Sequence, residues 1–202
     1  MKREGKQRNA IDAHALPEEA VKDIMARLRQ QGASAVTQIG IADIVVDERV
    51  RLKCQIPLCD SYGKNLMCPP FVPSVAFFRD ALARYTRAIL IQVTSPLGDT
   101  VQGRPSAEVY APAKKLHELV NLAEKWAFAY QFRFAAGLIG GCCRLCDECA
   151  AVNHNGHCRH PFKARPSMEA MGIDVVDTLS HAGLSIRFPV ADDVTWTGVL
   201  LI

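Results

Sequence analysis

The sequence contains no apolar run approaching the roughly 20 residues that cross a bilayer, and its polar N-terminus lacks the apolar segment of a secretory leader. These absences predict a cytoplasmic protein without a membrane span. There is no Gly-x4-Gly-Lys-Ser/Thr phosphate loop and no Gly-x-Gly-x-x-Gly fingerprint, so nucleotide hydrolysis and a Rossmann cofactor lose support. The chain also has no internal repeat. A strong charge imbalance is lacking too. The formal net charge is +3, and the first eight residues alone supply it, with Lys2, Arg3, Lys6 and Arg8 set against Glu4. A nucleic-acid binder carries its basic stripe on the folded part, so nucleic acid is not an expected partner.

What remains is a chain of 202 residues, 49% hydrophobic, enough to bury one ordinary core. It is expected to form a flexible basic tail over residues 1–15 and a single cysteine-rich domain over 16–202. Pro17 opens a helix to Gln31 with Ala20, Ile24 and Leu28 on one face and Gly32 as its stop. An extended region over 35–46 follows, and Val50 and Leu52 alternate through 49–53 as if in a strand. Helices are expected over 74–85, capped by Ser74, and over 107–132, with strands at 87–94, 134–139 and 195–202. Short helices are expected at 166–171 and 175–182. Helices and strands alternate, which predicts an α/β or α+β fold with a central sheet flanked by helices.

The eight cysteines carry the chemistry. Cys143, Cys146 and Cys149 stand at i, i+3 and i+6, and Cys158 follows nine positions later. That run lets one loop wrap thiolates around an iron–sulfur cluster with a fourth ligand from further away, as in bacterial ferredoxins. Cys54, Cys59 and Cys68 form a second group, and Cys142 sits beside Cys143. In a reducing compartment, clustered cysteines point to metal rather than disulfides. Eight thiols suffice for two [4Fe–4S] clusters. A fourth ligand for the first group is open, because Cys142 and Cys158 could exchange between clusters, or one iron could stay free for a substrate. Zinc is the alternative, since His154, His157 and His160 surround Cys158 and mixed Cys/His sites are common for that ion.

The segment 54–73 contains Pro57, Gly63, Asn65, Pro69, Pro70 and Pro73, a density of turn formers expected of a loop wrapped around a cofactor. Gly140-Gly141 lets the backbone turn tightly into the second thiol loop. Arg159, His160, Lys163 and Arg165 place positive charge just after Cys158. They either offset a negatively charged cluster or hold a small anion, the latter aided by free amides if Pro166 begins a helix. The first role suits an electron-transfer protein with a redox partner. The second suits an enzyme acting on a small anionic substrate oriented by Arg159, Arg165 or Lys64.

The blocks Arg49-Val-Arg-Leu-Lys-Cys54, Pro57-Leu-Cys59, Tyr62-Gly-Lys-Asn-Leu-Met-Cys68-Pro-Pro70, Gly140-Gly-Cys-Cys-Arg-Leu-Cys146, Cys158-Arg-His-Pro161 and Ala164-Arg-Pro-Ser-Met-Glu-Ala170, with Gly172-Ile-Asp174, resemble a known family. It is the family of predicted metal-binding proteins called domain of unknown function 2284, found mainly in anaerobic bacteria and archaea. The resemblance spans about residues 35–185. It implies metal binding, supplies no reaction, and marks Cys54, Cys59, Cys68, Cys143, Cys146, Cys149 and Cys158 as ligands, with Cys142 the position least tied to the pattern.

Overall fold

The computed structural model describes residues 17–96, 107–153, 156–186, 190 and 192–202. The basic tail and His154 therefore lie outside the described residues. Helix α1 (Pro17–Gln30) starts at Pro17 as expected, with Glu18 and Glu19 in its first turn and Arg27 and Arg29 in its last, each complementing the helix dipole. Its buried stripe is Ala20, Val21, Ile24 and Leu28. Burying each large member stabilises by about 1.5–3 kcal/mol.

Strands β1 (Ala35–Gly40), β2 (Arg87–Pro96), β3 (Ala136–Leu138) and β4 (Asp193–Leu201) form one sheet in the order β1-β2-β4-β3. Every neighbouring pair is antiparallel. Ala35 stands opposite Gln92, Ala88 opposite Leu201, and Ala136 opposite the same Leu201. The last strand thus inserts between β2 and β3, which are linked through α4 (Ala111–Ala129).

Both faces of the sheet are covered, which explains why Ala88-Ile89-Leu90-Ile91 of β2 is a continuous apolar run rather than an alternation. Ile89, Ile91, Val93 and Leu200 pack on α1 and α4 through Ile24, Leu28, Leu116, Leu119 and Val120. Ala88, Leu90, Val199 and Leu201 face the other way, onto Phe78 and Leu82 of α3 (Val75–Leu82), Leu179 of α5 (Val175–His181) and the turn around Met168 and Met171. Helix α4 comes unusually close to β3, because a Cβ on Gly137 would lie 2.4 Å from Val120 Cγ1. Only glycine admits that approach.

Three expectations need correction. The extended region after β1 stops at Gly40 and becomes a 3₁₀ turn over Ile41–Asp43, with only an isolated bridge from Val46 to Ile173 beyond it. Residues 49–53 are not a strand: α2 (Glu48–Leu52) forms there, because Asp47 accepts the Arg49 N–H at 2.7 Å as its N-cap. Pro166 does not open a helix. Its carbonyl accepts the Ile139 N–H at 3.0 Å, Ser167 bridges Ile139 in parallel, and the helical turn begins only at Glu169.

Candidate metal centre

The first thiol loop leaves the end of α2. Arg51, at its start, holds the two ends of the loop together by donating to Pro73 O at 2.9 Å, and also donates to Ala170 O at 3.1 Å. Between them the chain makes no strand or helix but a series of turns: Cys59 N–H donates to Cys54 O, Tyr62 N–H to Cys59 O, Cys68 N–H to Asn65 O and Phe71 N–H to Cys68 O. The second loop leaves β3 through Gly140-Gly141. Gly141 has φ +69°, and a Cβ there would meet the Trp196 ring at 2.7 Å, so glycine is required on both counts. Trp196 donates to Val109 O, leans on Tyr110 with ring centres 6.2 Å apart, and Tyr110 in turn carries the Arg144 guanidinium 3.8 Å above its ring.

The two loops are stitched together across the sequence. Buried Asn65 donates to Cys143 O at 2.9 Å while accepting the Met67 N–H at 3.0 Å. The Leu66 N–H of the first loop points at Cys149 Sγ of the second at 3.4 Å, and the His160 N–H at Cys158 Sγ at 3.3 Å.

All eight cysteines are free thiols. They line two cavities. Cys54, Cys59, Cys68 and Cys142 border one of about 380 Å³, together with Glu169. Cys143, Cys146, Cys149 and Cys158 border a second of about 420 Å³, and Cys142 reaches it as well. Residues 37–202 match the predicted metal-binding proteins of domain of unknown function 2284. The chain belongs to that family. No curated protein and no solved structure matches it.

The electrostatics suit the family's description. Burial, then the neighbouring thiols Cys142, Cys59, Cys54 and Cys143, pushes the Cys68 thiol up to about 12. Cys54 is raised by burial and by Cys59; Cys143 is raised chiefly by burial, with Cys158 and Cys149 adding to it. Such thiols ionise together only when a cation compensates them, so metal uptake releases protons. Among the described residues no three His, Cys, Asp or Glu side chains are drawn together as a single-ion site. The sulfurs ring cavities instead of meeting at a point.

The residues expected to carry positive charge are differently employed. Arg165 grips Glu124 with two bonds of 2.8 Å and donates its remaining groups to Ala164 O and Phe162 O, fixing the segment after Cys158 to α4. Arg159 donates to Glu148 O at 2.8 Å and lines the second cavity beside Lys64 and His160. The His160 backbone, rather than its ring, supplies the hydrogen bond to sulfur. His157 has no part in either cavity's lining.

Sequence reasoning missed Asn65, Arg144 and Glu169. Asn65 looks like one more turn former, and its contact across 78 positions is tertiary. Arg144 borders both thiol cavities, with its Nε buried and unpartnered. Glu169 is packed deep among protein atoms, with part of its side chain facing the first cavity; burial raises its carboxyl above the usual range, although it accepts the Gly141 N–H at 3.4 Å.

Proposed function

We propose that the chain binds two iron–sulfur clusters, each of the four-iron type, and acts in electron transfer or as the redox module of an enzyme system. Cys54, Cys59, Cys68 and Cys142 would hold one, and Cys143, Cys146, Cys149 and Cys158 the other. The observation that supports this most is the division of eight thiols between two adjoining cavities, four to each when Cys142 is counted with the first. A zinc site needs four donors about 2.0–2.3 Å from one ion, whereas a cluster spreads its thiolates over several irons. Thiols that ring a cavity suit the second pattern.

When bound, such clusters supply reversible one-electron transfer. The chain's own residues set the conditions for it. The Leu66 and His160 amides hold Cys149 and Cys158 and disperse their charge, which raises the potential. Asn65 locks the two loops in register. The Arg165–Glu124 pair, with side chains 16% and 19% exposed, anchors the Cys158 segment to the rigid α4.

A second reading rests on the lining of the second cavity. Lys64, Arg159 and His160 stand there with the thiols, a set that would orient a small anionic substrate at an incompletely ligated cluster. Both readings place the protein in a reducing, cytoplasmic setting.

Anaerobic purification should yield brown protein with roughly eight iron and eight acid-labile sulfide per chain, as two four-iron clusters require, and an electron paramagnetic resonance signal after reduction. A colourless preparation with equimolar zinc would overturn the cluster reading. Turnover of an anionic substrate by the isolated chain would favour the enzyme over the carrier.

A further inference from the structure

Beside the second thiol cavity runs a groove of about 1130 Å³ between the solvent face of α4 and the segment that follows Cys158. Two aromatic rings stand on it largely unsupported: Phe162 is 91% exposed and Phe128 56%. Around them are the cations Lys114, Lys125, Arg144 and Lys163. Arg165 and Glu124 neutralise each other, which leaves Glu118 as the opposing charge and a local balance of 4 − 1 = +3. The first eight residues hold another 4 − 1 = +3, and the whole chain only +3, so everything else sums to 3 − 3 − 3 = −3. The groove is a positive area on an otherwise negative body. It also adjoins the thiols, because Lys114, Arg144 and Leu145 line both the groove and the second cavity.

We propose that this groove docks an acidic electron-carrier protein. The inference rests on the cluster reading above and adds the surface and the charge of its partner. Exposed aromatics set among cations have the composition of a protein interface anchor, and opposite charge steers encounter. Outside the groove and the basic first eight residues the charge sums to −3, so on the folded part an acidic carrier is drawn to this face. Docking there brings the carrier to the rim of the cavity holding Cys143, Cys146, Cys149 and Cys158. A cluster held by Cys143, Cys146, Cys149 and Cys158 would there accept one electron from the carrier's reduced cofactor, the carrier being oxidised and the cluster reduced, with no bond made or broken.

The test is a titration of the metal-loaded chain against a purified acidic two-cluster ferredoxin, with basic cytochrome c as the opposite-charge control. The ferredoxin should bind, and its Kd should rise about tenfold or more between low and moderate salt, as expected when screening acts on several charge pairs. The double substitution K125E/K163E, and separately Phe162→Ala, should each raise Kd about tenfold. Both variants should keep full iron and sulfide content, which separates lost docking from lost folding. Equal ferredoxin binding by wild type and K125E/K163E would overturn the proposal. So would cytochrome c binding as tightly, a single-stranded oligonucleotide binding more tightly than ferredoxin, or sedimentation showing that the groove pairs with a second copy. Failure of the cluster reading has its own signature, material free of iron and sulfide; failure of the docking inference shows as a loaded chain indifferent to the carrier.

Discussion

Cys142 borders both thiol cavities, so its replacement distinguishes sharing from assignment. Cys142→Ser is expected to remove about half the bound iron, as loss of one four-iron cluster requires; an unchanged iron count would exclude Cys142 as an indispensable ligand. Arg144 also borders both cavities and places one positive charge beside each. A cation stabilises a more negative reduced state, so with the proposed clusters bound Arg144→Gln should lower the potential of each. Interaction of about 1–2 kcal/mol at an effective dielectric near 20 corresponds to roughly 40–90 mV for one electron. Redox titration followed by electron paramagnetic resonance checks this, and Arg144→Lys should recover part of the shift. His117 is a third informative residue. It is 4% exposed, its Nε2 lies 2.7 Å from Lys163 O, and burial foremost depresses its pKa below the ordinary 6.5. The folded state then binds fewer protons than the unfolded one. Its contribution is present above about pH 6.5 and lost as the pH falls below that value. Between pH 7.5 and 5.5, wild type should lose more stability than His117→Gln, measured by urea unfolding.

Elements built on long periodic patterns were legible without coordinates. The spacing of Ala20, Ile24 and Leu28 and that of Leu116, Leu119, Val120 and Ala123 place α1 and α4 correctly, and Ser74 caps α3 as expected. Segment 49–53 misleads because Val50 and Leu52 are two apart, a spacing that a short helix also tolerates; Asp47 before Glu48 was the available signal. The order of the strands was not legible, since it depends on which residues meet across the sheet. The gathering of the thiols into two neighbouring groups was suggested by spacing, but the place of Cys142 was not legible, because it borders both cavities while its sequence neighbour Cys143 lines only the second. Cap and close-packing sites give predictions at this scale. Asp174 accepts the Val176 and Asp177 N–H groups at 3.1 Å, so Asp174→Ala should cost about 1 kcal/mol of stability. Gly137→Ala should cost more, roughly 1–3 kcal/mol, because its methyl would press into Val120. Thermal unfolding of the loaded protein measures both.

At the scale of the molecule, the apolar core and the cysteine loops depend on different forces. The sheet between α1 and α4 on one side and α3 and α5 on the other is held by buried aliphatic contact. Among the described residues, the loops 54–73 and 140–165 contain few buried apolar side chains, and they are joined by Asn65 and by the Leu66 amide aimed at Cys149 sulfur. Stripping metal should therefore expose loop amides to rapid hydrogen exchange while β2, β4 and α4 stay protected. Simultaneous loss of protection in both regions would show that the loops are part of the core's cooperative unit.

Strand β4 occupies the middle of the sheet although the ribosome makes it after every cysteine. Until Asp193–Leu201 emerges, β2 and β3 have no partner between them, and the turn at Gly140-Gly141 lacks the Trp196 ring that backs it. Nascent chains consequently hold eight thiols with no scaffold to array them. The backing that Trp196 gives the second thiol loop can form only once translation has passed that residue, so metal uptake by the finished loops would follow synthesis of β4.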